Sequence, residues 1–210
     1  MRLSHLPRRP VLVSSVAAAL WLAGCTSPPK AVPAAPGAVD GSAPGPAYGR
    51  PAPGSSPWSP AMEACKDRLE SRLKGTGASV ARSTDDRLWI TLPGDASFDA
   101  NRSALKPAAR AVLDQVVMNT RALGDIEVRI VGHTDAKGSA AANNALSLDR
   151  AASTRDWLVA RGVSPVKVSV AGRGAQDPIA SNDTETGRAA NRRVELLIAQ
   201  RGAVTPPAGR

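Results

Sequence analysis

Between residues 62 and 198 the apolar side chains change their spacing several times, and this switching constrains the fold more than any other feature. Met62, Cys65, Leu69 and Leu73 recur at three- and four-residue steps, the period of one helix face, before Gly75 and Gly77 stop the run. Leu88, Ile90 and Leu92 then alternate with Trp89 and Thr91, the period of a strand. Residues 78–81 and the turn residues Asp85 and Asp86 supply the other half of a hairpin, and Pro93-Gly94 closes it. Helical spacing returns over residues 103–123 through Leu105, Ala109, Val112, Leu113, Val116 and Val117. Pro107 falls in the first turn, where a missing N–H does no harm, and Gly124 provides the stop. Ile126, Val128 and Ile130 form a strand, and a second long helix is predicted from about Ser147 to the stop at Gly162. Val166, Val168 and Val170, then Val194, Leu196 and Ile198, form two further strands. Strands alternating with helices predict an α/β (α+β) sandwich, one sheet covered by helices, with functional loops at the strand ends.

This pattern starts only after residue 60, because the 18 prolines and 18 glycines are unevenly spread. Residues 26–60 are dominated by Ala, Pro, Gly and Ser, and little in them could repay the entropy of ordering. They read as a linker of about 35 residues, reaching ~110 Å if the prolines extend it and ~30–35 Å as a Gly-like coil. The folded domain is expected over 61–200, roughly 140 residues and enough for its own core. Residues 201–210 are a Pro/Gly tail.

The first 24 residues read as a targeting segment. Arg2, Arg8 and Arg9 form a basic start, and the apolar stretch after them has signal-peptide length, too short to span a membrane comfortably. It ends in Leu22-Ala23-Gly24-Cys25, which resembles a bacterial lipobox, so Cys25 is the expected lipidated (palmitate-bearing) residue. Thr26 follows rather than aspartate, which favours the outer membrane over the inner one. The mature chain would then face the periplasm from the outer membrane, held by its lipid. Cys65 is the remaining thiol, in an oxidising compartment. It can pair with another chain or pack as an apolar helix residue.

Removing Arg2, Arg8 and Arg9, in a segment without acids, lowers the formal charge from +9 to +6. That balance suits a solvated surface or an anionic polymer. With aromatics at 3% and scattered arginines, platforms for stacking nucleic-acid bases are poorly supplied, and no nucleic-acid partner is expected. After the signal is removed, His133 is the only histidine, and with Cys65 it makes too few ligands for a zinc site. No cofactor, metal or catalytic set is expected, and the chain reads as a binding protein rather than an enzyme.

Three polar clusters sit between the elements. Gly132-His133-Thr134-Asp135 follows a strand. Asn143, Leu146-Ser147 and Arg150-Ala151 come next, with Arg150 expected in the first turn of the second long helix. Gly187-Arg188 and Asn191-Arg192-Arg193-Val194 lead into the last strand. An arginine in a first turn opposes the helix dipole and so suggests another purpose. Asp135 and Arg150 can meet as a salt bridge, or stand as a split receptor for a zwitterion, the carboxylate taking an ammonium and the guanidinium a carboxylate.

The three clusters together resemble the OmpA-like peptidoglycan-binding domain, a family that includes the OmpA C-terminal domain, the peptidoglycan-associated lipoproteins and flagellar stator wall anchors. The likeness runs over roughly residues 78–199. It implies a mixed sheet with helices on one face and a stem-peptide ligand containing meso-diaminopimelate. By motif position, Asp135 would accept its ammonium, Arg150 would hold its carboxylate, and Thr134 and Asn143 would line the pocket. Arg188 would contact the ligand or brace a loop, Arg193 would brace, and Phe98 would pack. The implied function is an outer-membrane lipoprotein that binds peptidoglycan non-covalently and tethers the membrane to the wall. The alternative is an envelope scaffold lipoprotein of a secretion or Tol-type complex, with envelope protein partners and wall binding secondary.

Overall fold

The computed structural model describes residues 58–202. The expected signal segment, Cys25, the linker as far as residue 57 and the tail from residue 203 lie outside the described residues. In chain order the elements are α1 (Pro60–Leu73), β1 (Ser79–Arg82), β2 (Leu88–Pro93), α2 (Gly94–Ser97), α3 (Pro107–Thr120), β3 (Ile126–His133), α4 (Ala140–Ala160), β4 (Val168–Gly172), α5 (Glu185–Asn191) and β5 (Arg193–Gln200). Short 3-10 turns at Arg121–Leu123 and Pro165–Lys167 lead into β3 and β4.

The strands form one mixed sheet in the order β1-β2-β5-β3-β4. β3 and β4 are parallel and joined through α4, while the other neighbours are antiparallel. β5 pairs with β3 so that Arg193 faces His133 at one end and Gln200 faces Ile126 at the other. Period-two alternation sends Leu88, Ile90, Leu92, Val128, Ile130, Leu196 and Ile198 into the core beneath the helices, as the sequence predicts. The intervening Trp89, Val131 and Leu197 gather on the opposite face. Met62, Cys65, Leu69 and Leu73 of α1 and Ala109, Val112, Leu113, Val116 and Val117 of α3 complete the core. Each large aliphatic buried there contributes on the order of 1.5–3 kcal/mol.

Helix α1 begins at Pro60, two residues ahead of the periodic pattern. Ser59 caps it, its Oγ accepting from the Met62 N–H at 3.1 Å, and Pro60 sits at the tolerant first position. Cys65 is fully buried in α1, its Sγ 3.5 Å from the Asn119 carbonyl, and burial pushes the thiol pKa up. Of the two roles open to it, packing is the one the fold uses.

Helix α4 corrects one expectation. It starts at Ala140, seven residues earlier than predicted, with Ser139 as its cap. Arg150 is therefore in the third turn, and its supposed conflict with the helix dipole disappears. The apolar pattern misses this start because the inward stripe is polar: Asn143, Ser147, Arg150 and Thr154 are buried alongside Ala151 and Leu158. The upper half of α4 lies against strand ends that carry glycine. A Cβ at Gly132 would stand 2.0 Å from the Ser147 carbonyl oxygen, and one at Gly172 would stand 2.6 Å from the Leu148 nitrogen. Hydrogen alone fits there, which brings the α4 backbone against the ends of β3 and β4. The loop that leaves β3 consequently runs beside Asn143 and Arg150.

Candidate functional site

The strand ends β2, β3 and β5 converge on a cleft of about 630 Å³. Thr134, Asp135, Asn143 and Arg150, four of the residues singled out in the sequence, line it together. Their assembly is local and explicit. The Thr134 N–H donates to the Gly174 carbonyl at 2.9 Å and fixes the chain as it leaves β3. Asn143, reaching from α4, donates its side-chain amide to the carbonyls of Asp135 (3.2 Å) and Lys137 (3.0 Å), clamping the loop between β3 and α4. Thr134 Oγ1 is buried and has no hydrogen-bond partner among the described residues. An orphaned buried hydroxyl is costly, so it marks a position where a ligand group would be stabilised.

Arg150 is buried, and burial moves its guanidinium pKa below the ordinary value. Its Nε donates to the Arg102 carbonyl at 3.0 Å and Nη2 to the Asp99 carbonyl at 3.4 Å, while the group lies 5.0 Å from the Phe98 ring centroid. Phe98 itself packs in the core, as expected. Arg150 thus holds the loop after α2 that forms one wall of the cleft. A guanidinium has five N–H donors, so capacity remains for an anion in the cavity.

The direct ion pair between Asp135 and Arg150 that the sequence left open is not the one formed. Asp135 Oδ1 accepts the Lys137 N–H at 3.0 Å, and Oδ2 accepts Nη1 of Arg192 at 2.6 Å. Arg192 also lines the cleft and was not among the predicted site residues. Its Nε and Nη2 grip both oxygens of Asp95 at 2.8 and 2.7 Å, and Nη2 lies 2.9 Å from Glu185. These carboxylates, Asp95 foremost, hold its pKa above the ordinary arginine value. In return Arg192 lowers the Asp95 pKa, and Arg188 with Arg192 holds Glu185 at about 2.

Of the two roles left open for Arg188, the structure shows hydrogen bonds of the bracing kind, and the residue is not among those lining the cleft. Nη1 donates to the carbonyls of Asn182 (2.8 Å) and Asp183 (2.9 Å), and Nε and Nη2 engage Glu185 at 3.0 and 2.7 Å. It braces the turn into α5, so bracing is the use found for it. Arg193 is buried and braces as expected, pairing with Glu195 at 2.6 Å and donating to the carbonyls of Asn191 and Asp177. His133 is buried outside the cleft lining, its Nε2 3.8 Å from Glu195. Because Arg193 already neutralises that carboxylate, burial and then the Arg193 charge dominate, and the imidazole pKa falls to about 3. It is neutral at neutral pH.

Residues 97–192 match the model of the OmpA family. "Probable lipoprotein YiaD" of Escherichia coli is 36% identical over 137 residues, covering 65% of this chain and 62% of that protein. "Peptidoglycan-binding protein ArfA" of Mycobacterium tuberculosis is 42% identical over 105 residues, 50% of this chain and 32% of that one. The chain thus spans less than two thirds of the length of either relative. Among solved structures, the cell wall anchor of the T6SS from Pseudomonas aeruginosa superposes with a TM-score of 0.58 at 25% identity, over 65% of this chain and 97% of that one.

Proposed function

We propose that the cleft around Asp135 and Arg150 binds peptidoglycan non-covalently through the diaminopimelate of its stem peptide, a reading supported by the match of residues 97–192 to the model of the OmpA family. The observation that carries this reading is the meeting of a carboxylate, a guanidinium and an orphaned buried hydroxyl in one cavity. Diaminopimelate offers an ammonium and a carboxylate on one carbon. Asp135 accepts the first, Arg150 donates to the second, and Thr134 and Asn143 line the pocket. The name of ArfA, a peptidoglycan-binding protein, agrees with the ligand class. In this reading the wall is held rather than cut. Cys25 carries the lipid, and residues 26–60 span from the outer membrane to the domain at 61–200, so the protein tethers the membrane to the wall. The structural neighbour, a cell wall anchor of the T6SS, favours a second setting, in which the same wall grip serves a larger envelope assembly. Pull-down after wall digestion would separate the two.

Titration of the protein with diaminopimelate stem peptide tests the site. Charge-assisted hydrogen bonds of ~1.5–3 kcal/mol are at stake, so Asp135→Ala or Arg150→Ala should each weaken binding by roughly 10- to 100-fold. The two losses should be non-additive, since both groups act on one ligand carbon. Folded variants that bind like wild type would overturn the assignment.

A further inference from the structure

We propose that Arg192 sets the selectivity of the cleft, by neutralising Asp135 so that an amine without an adjacent carboxylate is rejected. This rests on the zwitterion reading above and adds a residue to which that reading gives no role. The cleft is lined by the cationic side chains Lys106, Lys137, Arg150 and Arg192 and the carboxylates Asp95, Asp99 and Asp135, and Glu185 beside it pairs with both Lys137 and Arg192. Both oxygens of Asp135 accept hydrogen bonds within the protein, one from the Lys137 backbone and one from Arg192. Arg192 is held in place by a fork on Asp95 and by Glu185, so it cannot easily leave when an ammonium arrives. A carboxylate oxygen can still accept an additional donor, but the arriving ammonium meets a carboxylate whose charge is already shared with Arg192.

For the amine side chain of lysine this is a second cation competing with Arg192 for Asp135. For the diaminopimelate centre the ligand's own carboxylate, received by Arg150, offsets that competition. Selectivity of this kind comes from what the wrong ligand suffers rather than from extra contacts with the right one. Replacing Arg192 with a neutral group frees Asp135, Asp95 and Glu185 together and makes the cavity welcoming to a bare ammonium.

The test is a titration of full-length wild type, Arg192→Gln, Arg192→Lys and Glu185→Gln with two stem peptides, diaminopimelate and lysine at the third position, with circular dichroism to check folding. Arg192→Gln should bind the lysine peptide about tenfold more tightly than wild type does, so that the preference for diaminopimelate falls by about that factor. Arg192→Lys keeps the positive charge and should keep most of the preference. Glu185→Gln changes an exposed residue and removes one of the carboxylates sharing Arg192, which leaves Arg192 more fully on Asp135, so the preference should sharpen; it also decides the matter if Arg192→Gln does not fold. An unchanged ratio in folded Arg192→Gln, equal loss of both peptides in it, or an unchanged or relaxed preference in Glu185→Gln would overturn the proposal. Failure of wild type to bind the diaminopimelate peptide at all would instead remove the reading of the site on which it rests.

Discussion

Arg192 and Arg193 are neighbours in the sequence with separate tasks: the first grips carboxylates at the cleft and the second is buried against Glu195. Successive side chains at a strand start point to opposite sides, so only one of an adjacent pair can turn inward. That alternation, counted back from Val194, was the available signal that Arg192 would belong to the cleft, and the motif alone drew attention to Arg188 instead. Asp135, Thr134, Asn143 and Arg150 were legible because the clusters holding them stand at fixed spacing; the ion pair of Asp135 was not, because its partner lies 57 positions away. His133 carries a prediction at this scale. Unfolded, it takes a proton near 6.5; folded, burial and Arg193 delay that to about 3. Its contribution to stability is therefore intact above pH 6.5 and is lost as pH falls through the interval towards 3, at ~1.4 kcal/mol per pH unit. Carboxylates elsewhere also respond to acid, so the measurement is a comparison of slopes. Denaturant unfolding between pH 6 and pH 4 should show wild type losing stability more steeply than His133→Asn, by about one proton. Parallel slopes would mean that the imidazole is not kept neutral by the fold.

Among the elements, those with an apolar stripe were readable and those without were not. α1, α3 and the strands bury Leu, Val and Ile at the spacing their geometry demands. The first two turns of α4 bury Asn143 and Ser147, and the short α2 and α5 have almost no apolar face, so the period gives no signal for them. What specifies the α4 start is its Ser139 cap, the alanines behind it, and glycine on the surface it meets. This makes Gly132 a position where packing and binding are coupled. Gly132→Ala would drive a methyl group against the Ser147 backbone oxygen, and backbone cannot swing aside as a side chain does. Destabilisation of ~1–3 kcal/mol is expected from overpacking. If α4 retreats to make room, Asn143 and Arg150 move with it, so the surviving folded protein should also bind stem peptide less well. Denaturant unfolding and peptide titration of the same variant check both halves. Unchanged stability would show that α4 does not need the close approach.

At the scale of the whole molecule, the entry of the described chain and the cleft lie at opposite ends of the same strands. Arg193 starts β5 at the cleft, and Gln200 ends it seven residues later, ~23 Å away at the usual strand rise. At that far end the Ser59 hydroxyl donates to Gln200 Oε1 at 2.6 Å, and Trp58 lies 5.0 Å from the Arg82 guanidinium with its indole N–H on Glu63. The connection to residue 57 thus leaves the domain at the end remote from Asp135. A lipid on Cys25 and a stem peptide in the cleft should then act independently, which makes a two-way prediction. Cys25→Ser should leave the protein unprocessed and unlipidated, with wild-type binding to purified sacculi, while removing it from the outer-membrane fraction. Asp135→Ala should stay with the membrane, still lipidated by mass spectrometry of its N-terminus, while losing the sacculi. The proposed tether needs both anchor and grip, so either variant alone should detach the membrane from the wall to a similar degree. A Cys25→Ser protein that remained in the outer-membrane fraction, or one that lost sacculus binding in purified form, would break the separation of anchor from grip on which the proposed tether depends.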